Sequence, residues 1–422
     1  MIFSQLQLDR QLSEIFDELT ELETSSLGDL SVYQGETSNV MVAVVGFDFS
    51  ASGGSVGPCE AEQIRTAIAF AKEKTLPLVF ILNTGGVRVT EGAESLAAFR
   101  VMYRDLVDGK LDGLRVISLV AQHCFGGASM LAAVSDRVLV SSCSQVSMSG
   151  PKLIREMSLH EGQQPPTYED VRSLLGGHGR SLISDRFQMI DDRAKAYKEH
   201  LGQLLLLSQS SDFRLEPNFA ALRRRITKSD GMNSEPVNTQ SVAHSLVDAS
   251  RIGVHDFQVW DSGLFSSNAL CNSGVGIYGI VNTRFANADI IFDLINAIKN
   301  SPSSISDIKI FIDCSSHSPS VSSEAVIMSE YLSTLTRCLR KKYRDGVEIH
   351  VVIIGSAGGG VFAALSAGAS RLSALSGASI HVLPAAALST MGWSYNASLN
   401  SSDLLHSGAV DDVIDDISTV IG

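Results

Sequence analysis

Charged residues are scarce in this sequence. They make up 19% of its 422 residues, below the roughly 25% usual for soluble domains, while hydrophobic residues reach 44%. That balance excludes global disorder, which needs high charge and little apolar material. Positive charge is scarcer still: 33 Lys and Arg face 46 Asp and Glu, for a net charge of −13. A general nucleic-acid or anionic-membrane binder needs a basic surface, so only a local basic patch remains open. The six cysteines, at positions 59, 124, 143, 271, 314 and 338, form no CxxC pair and no short-spaced Cys/His cluster. Neither a zinc ribbon nor a disulfide framework is indicated, and no metal is expected. Long uninterrupted apolar runs are missing as well. The most apolar stretch, Val351 to Leu383, is full of Gly and Ser and carries Arg371 and His381, so it does not suit a bilayer. The opening MIFSQLQLDRQLSEIF has acidic side chains and lacks the apolar core of a secretory signal. A cytoplasmic protein is expected. Nucleotide signatures are absent too. There is no GxGxxG and no GxxxxGK[ST], and after Gly360 the next acidic residue is Asp403. A dinucleotide site places its ribose-binding carboxylate about 20 residues on, so NAD is not expected there.

What the sequence does have is α/β alternation, present twice. An amphipathic pattern predicts a helix over Leu6–Leu22, followed by strands near Leu30–Tyr33 and Val40–Phe47. A helix from about Glu60 to Lys74 leads into the apolar run Leu76–Leu82, which reads as a strand buried on both faces. A helix over Ala93–Val107 and a buried strand over Val116–Ala121 come next. The Gly126-Gly127 turn, a small-residue helix over Ala128–Val134 and short strands over Val138–Val140 and Val146–Ser149 complete the first copy. Residues from about 157 to 259 are polar and mostly helical in pattern, with linker composition at 208–211 and 229–240.

The second copy has strands over Val275–Val281, Ile308–Ile312 and Glu348–Ile354. Its helices cover Asp289–Ile298, Ser322–Arg340 and Val361–Ala367, and a hairpin over Ser373–Leu375 and Ser379–Leu383 closes it. "VISLVAQHCFGGASMLAAVSDRVLV" and "HVVIIGSAGGGVFAALSAGASRLSAL" share the order strand, glycine turn, small-residue helix, Arg, strand. The offset of roughly 230 residues makes each repeat domain-sized rather than a solenoid unit. Two tandem α/β domains are expected, at 1–235 and 236–422.

The glycines carry the chemistry. A buried strand ending in a glycine pair at a helix start exposes backbone N–H groups that have no partner in the helix. Glycine lets a carbonyl approach that backbone, and the helix dipole adds partial positive charge. Such a turn suits a phosphate or a developing oxyanion. The plain alternative is close helix–sheet packing. The arrangement recurs at Gly85-Gly86, Gly126-Gly127 and Gly358-Gly359-Gly360, which favours function over packing alone.

Gly53-Gly54-Ser55-Val56-Gly57 fits the GxSxG nucleophile elbow. The preceding strand, however, ends several residues too early for a tight strand–Ser–helix turn. His123 and His178 sit beside glycines and are acid/base candidates without a nameable partner carboxylate. Arg223-Arg224-Arg225 with Lys228 is the densest basic cluster, either a solvated helix face or a contact for coenzyme or carrier phosphates.

"GGSVGPCEAEQI", "LPLVFILNTGGVRVTEGAESL", "HCFGGASMLAAVSDRVLV" and "SMSGPKLI" resemble, in order and spacing, the N-terminal half of acyl-CoA carboxyltransferases. The likeness is greatest to the β subunit of biotin-independent malonate decarboxylase. "GIYGIVNTRFANADIIFDLINAI", "FIDCSSHSPSVSSEA" and "VVIIGSAGGGVFAALSAGASRLSALSGASIHVLPAAA" are similar to that enzyme's γ subunit, so the chain looks like a β–γ fusion. The resemblance implies two crotonase-like domains, each a spiral of ββα units, with an active site between N and C halves. It implies that backbone N–H groups at Gly126-Gly127 hold a thioester carbonyl. Gly359-Gly360 would hold a second oxyanion, which in biotin-dependent relatives belongs to biotin. Gly85, Gly86, Arg88, Glu91, Phe125 and Gly358 would line the thioester site, and His123 or Cys124 could return a proton.

The sequence departs from the family pattern in places. Pro58 stands where the family has an acidic residue after "GGSVG". Ser356-Ala357 replaces the usual Lys beside the second turn, and the N-terminal leader is shorter than usual.

The implied reaction is loss of CO₂ from a malonyl thioester on CoA or a phosphopantetheine-bearing acyl carrier protein, with no covalently bound cofactor. A biotin-dependent carboxyltransferase and a non-catalytic scaffold are the alternatives. A homo-oligomer or multi-subunit complex is expected, with no nucleic acid and no membrane as partner.

Overall fold

The computed structural model describes residues 1–25, 27–160, 164–207, 217–226, 257–259, 264–267, 274–383, 388–389 and 401–421. The expected boundary at 235/236 and both linker stretches lie outside them. Two compact units divide the chain. Unit 1 comprises Met1–Arg88, Val101–Phe219 and Pro319–Glu330; unit 2 comprises Val89–Arg100, Ala220–Ser318 and Tyr331–Gly422.

Unit 1 is built on one sheet of eight strands: β1 (Glu18–Glu21), β2 (Leu30–Thr37), β3 (Val40–Phe47), β4 (Leu78–Thr84), β5 (Val116–Phe125), β6 (Arg137–Val140), β7 (Gln145–Ser147) and β8 (Phe187–Met189). The order is β1-β2-β3-β4-β5-β6-β8, with β7 also paired to β5. The β1–β2–β3 meander is antiparallel, and every later pairing is parallel. A parallel strand is covered on both faces, which explains the unbroken apolar run of β4: Leu78 through Leu82 are all fully buried.

Unit 2 repeats the plan with β9 (Phe257–Val259), β10 (Leu264–Ser267), β11 (Val275–Ala286), β12 (Asp307–His317), β13 (Glu348–Gly358), β14 (Arg371–Leu375), β15 (Ser379–His381) and β16 (Asp412–Ile414). Its order is β16-β14-β13-β12-β11-β10-β9, and β15 also pairs with β13. The two sheets match in detail. Strand β5 carries β6 on residues 117–119 and β7 on 123–125; β13 carries β14 on 350–353 and β15 on 356–358. Cys124 therefore corresponds to Ala357, Phe125 to Gly358, Gly126 to Gly359 and Gly127 to Gly360. The tandem α/β fold class is the one expected, with the order strand, short helix, two short strands, helix running through both copies.

Three local expectations need correction. The first helix covers only Leu8–Ile15, because residues 18–21 pair with β2 as strand β1. Sheet pairing there overrides the helical spacing. The Ser322–Arg340 helix is two helices, Val321–Ala325 and Met328–Arg344, broken at the buried Ile327 with φ of 66°. The closing strands are not a hairpin. Both β14 and β15 run parallel to β13, the first on its middle and the second on its end. The strands that end in glycine turns also run further than their apolar cores suggest, β5 to Phe125 and β13 to Gly358.

The middle of the chain is helical as its pattern predicts, over Pro151–His160, Tyr168–Leu175, Gly177–Ile183, Ala194–Leu207 and Phe219–Ile226. No helix among the described residues is long and apolar enough to cross a membrane.

Candidate oxyanion turn

In unit 1 the carboxyl ends of β3, β4 and β5 are tied together by their glycine turns. The Gly85 N–H donates to the Gly53 carbonyl at 2.9 Å, and the Val56 N–H donates to the Gly86 carbonyl at 2.8 Å. Gly86, with φ of +114°, lies so close to the next turn that a Cβ would come within 2.9 Å of the Phe125 carbonyl and 3.1 Å of the Gly126 Cα. Gly126 has φ of +59°. The glycines at 86 and 126 thus serve close packing of three strand ends, as the plain alternative holds. The same packing fixes where the next N–H points.

That N–H belongs to Gly127. Gly126–Ala128 forms a single 3₁₀ turn that feeds the Ser129–Val134 helix. The first N–H groups of a helix have no acceptor within it. No bond to the Gly127 N–H is found among the described residues. The turn is pinned from below: the Ser129 hydroxyl donates to the Gly126 carbonyl at 2.7 Å and lies 3.0 Å from the Met148 sulfur. From the side, the His123 N–H donates to Asn83 Oδ1 at 3.2 Å.

Beside the turn, His123 is flanked by Phe49 and Phe125, each with its ring centroid 5.3 Å away. Its Nδ1 is buried without a hydrogen-bond partner. Burial, with a smaller contribution from Arg172, lowers its pKa and favours the neutral ring. Cys124 differs. It is fully buried, its thiol faces the Ala128 carbonyl at 3.4 Å, and burial raises its pKa. The structure sets that thiol in the core. Met130 and Leu131 are core residues as well.

Arg88 serves its own loop. Its guanidinium bonds the Ser55 hydroxyl and carbonyl, each at 3.0 Å, and pairs with buried Glu60 at 3.0 Å. Burial opposes ionisation of Glu60, yet the N–H groups of Asp29, Glu60 itself and Gly57, together with Arg88, lower its pKa. Ser55 is therefore no nucleophile elbow. Its hydroxyl donates to the Ser52 carbonyl and accepts from Arg88, with no base bonded to it. Glu91 accepts from Ser95 one turn further on, and His178 is exposed. Arg223, Arg224 and Arg225 occupy the last turn of the Phe219–Ile226 helix; Lys228 lies outside the described residues.

The corresponding turn in unit 2 is closed. Asp313 Oδ1 accepts the Ser356 N–H at 2.9 Å, as Asn83 does for His123. Where unit 1 has Gly86-Val87, unit 2 has Ser316-His317. The Gly360 N–H, counterpart of the Gly127 N–H, donates to His317 Nδ1 at 3.0 Å. The ring is buried, and burial pushes its pKa down to about 4, so it stays neutral and keeps accepting. Gly358 would bring a Cβ within 2.5 Å of the Ser315 carbonyl. Gly359, with φ of +51°, would bring one within 2.2 Å of the Ser316 hydroxyl and 2.9 Å of His317 Nδ1. Gly359→Ala is expected to destabilise unit 2 by about 2–4 kcal/mol, from left-handed backbone strain plus overpacking. A urea-denaturation midpoint unchanged from wild type would refute that packing.

Sequence reading missed Glu324 and Arg180. Both side chains are fully buried in unit 1. Glu324 Oε1 accepts the Ser149 N–H at 2.7 Å, and Arg180 donates to the carbonyls of Val146 at 2.7 Å and Glu324 at 2.5 Å. They clamp β7, the strand that pairs with β5 just before Gly126. Nothing in the local pattern around position 324 announces a partner 144 residues away. His317 was legible only by aligning the two repeats residue by residue. Among the described residues, no three His, Cys, Asp or Glu side chains are arranged to hold a metal ion.

Residues 13–168 match the family model of the carboxyl transferase domain. The chain is similar to the acetyl-coenzyme A carboxylase carboxyl transferase subunit beta of Synechococcus sp. (strain JA-3-3Ab), 30% identical over 50% of this chain and 65% of that protein. It is also similar to the methylmalonyl-CoA carboxyltransferase 12S subunit of Propionibacterium freudenreichii subsp. shermanii, 29% identical over 37% of this chain and 29% of that protein. The chain thus spans 65% and 29% of the length of these two relatives. Among solved structures, a Pseudomonas malonate decarboxylase hetero-tetramer in complex with malonate aligns over 55% of this chain and 93% of its own, at 19% identity and TM-score 0.46. Transcarboxylase 12S aligns over 98% and 87%, at 20% identity and TM-score 0.40.

Proposed function

We propose that the protein decarboxylates a malonyl-type thioester, carried on CoA or on a phosphopantetheine arm, through an enolate whose oxygen is held at the Gly127 N–H. The observation that carries this reading is the contrast between the two turns. The unit 1 turn offers an N–H without an acceptor, whereas the matching N–H in unit 2 is bonded to His317. Decarboxylation develops one oxyanion, on the thioester oxygen. Transfer of the carboxyl group to a carrier develops a second, and the Gly360 N–H is not open to receive it.

In this mechanism C–CO₂ cleavage leaves its electron pair in the enolate, CO₂ departs, and one proton returns to carbon. A backbone donor aimed at such an oxygen contributes about 3–4 kcal/mol to the transition state. The half-buried Phe125 ring lies beside His123 and gives that side of the turn an apolar wall. With Cys124 turned into the core, His123 or water returns the proton. The reaction calls on no metal and no covalently bound cofactor, and the protein acts in the cytoplasm as a homo-oligomer or within a larger complex.

Biotin-dependent acyl-CoA carboxyltransfer is the second reading, favoured by the family match over residues 13–168. Incubating the pure full chain with malonyl-CoA or a malonyl carrier protein and following CO₂ separates the readings. Release unaffected by avidin and without ATP is expected. Release only when carboxybiotin or its carrier is supplied would install the carboxyltransferase, and no turnover of any of these substrates would leave the non-catalytic scaffold.

A further inference from the structure

A concavity lies at the end of the unit 1 sheet opposite the glycine turns. It encloses about 710 Å³ where β3, β4 and β5 begin, whereas the glycine turns lie where they end. Strand β5 alone is ten residues long, which places the two sites roughly 30 Å apart along it. The wall is apolar at Val40, Met41, Pro77 and Leu114. The charged groups are Lys72, Asp112 and Arg115. Lys72 and Asp112 pair with each other at 2.8 Å.

Arg115 is different. Its carbonyl accepts the Leu78 N–H, but the side chain of this half-buried residue has no hydrogen-bond or ion-pair partner among the described residues. In a chain of net charge −13, a partly buried cation left open at a cavity is unusual. Other half-buried arginines in this unit have partners, among them Arg65 with Asp105 and Glu62, Arg88 with Glu60, Arg186 with Glu330 and Arg155 with the Pro166 carbonyl.

The geometry points to a binding site for a small monocarboxylate with an apolar body, distinct from the thioester site. The planar guanidinium matches a carboxylate with two parallel N–H donors. Lys72, Arg115 and Asp112 together leave one net positive charge, which suits a monoanion; a dianion would meet the Asp112 carboxylate. The apolar wall accepts an alkyl or aryl body, as ligand cavities of this size do.

Octanoate is the probe, titrated into the full chain by ligand-observed NMR, with 1-octanol and inorganic phosphate as comparisons. Saturable octanoate binding is expected, with Kd on the order of 1 mM or below. Arg115→Gln should weaken it at least about tenfold, and 1-octanol should bind the wild type at least about tenfold more weakly. Met41→Trp, which fills the cavity, should abolish binding; if that variant fails to fold by circular dichroism, Arg115→Gln decides alone. Equal affinity of wild type and Arg115→Gln overturns the proposal, as do octanol or phosphate binding as well as octanoate and an absence of saturable binding. None of these outcomes depends on decarboxylase activity.

Discussion

Under the proposed function, Gly127→Pro is expected to lower kcat for malonyl-thioester decarboxylation by about 10²–10³-fold, the usual consequence of deleting one oxyanion donor. Proline removes the N–H and adds a ring at this buried position. At the start of a helical turn that N–H is not needed for the helix, and the proline φ is compatible with the turn. The preceding residue is Gly126, which has no Cβ to clash with the ring. The fold should survive, as circular dichroism and a thermal melt would show. Because the lost interaction belongs to the transition state, kcat and kcat/KM should fall together with KM nearly unchanged.

Gly360→Pro supplies the comparison. It deletes the N–H that His317 accepts, so its effect should appear mainly in stability, about 1–3 kcal/mol for a buried ring nitrogen left unsatisfied. Activity should fall less than about tenfold. A near-normal rate for Gly127→Pro would remove this turn from the mechanism. Equal loss of rate in both variants would mean that the two turns are not functionally distinct.

Much of this architecture is visible in the sequence because parallel strands and glycine turns leave local marks. Leu76–Leu82 reads as a strand because burial on both faces requires an unbroken apolar run, and the strand found is Leu78–Thr84. The turns at 126–127 and 358–360 read as turns because a positive φ and close backbone approach require glycine. What escaped detection depends on partners distant in the chain. Residues 18–21 have helical spacing and become a strand only because β2 pairs with them. The last short strands look like a hairpin because they adjoin in sequence, yet each is held by β13.

The site follows the same rule. Arg88 was expected to face the substrate, and only the fold sets it against Glu60 and Ser55. His317 closes the second turn through a contact 43 residues long, although the glycines at 358–360 advertise an open one.

The other large effect concerns Glu324. Its carboxylate is fully buried, holds the Ser149 N–H, and faces Arg180, itself held by the Val146 carbonyl. Glu324→Ala is expected to cost about 3–5 kcal/mol in unfolding free energy, because it leaves the buried Arg180 guanidinium and the Ser149 N–H without the carboxyl group they face. Glu324→Gln gives a sharper reading. Burial, only partly offset by Arg180 and the N–H donors of Ser149 and Met148, pushes the Glu324 carboxyl up to about 7 from the ordinary 4.5. Between those values the folded state holds a proton that the unfolded state has released. Stability from this group is therefore full below pH 4.5 and is lost as pH rises through 7, by about 3 kcal/mol in all.

Glutamine cannot titrate. The wild-type unfolding free energy, measured by urea denaturation from pH 4.5 to 8, should fall relative to that of Glu324→Gln across this window and run parallel to it above. Parallel curves throughout would show that Glu324 is ionised across the range. Strand β7, held by this pair, is the direct neighbour of residues 123–125. The same substitution should therefore also shift the pH dependence of kcat, which a purely structural loss at a distant site would leave in place.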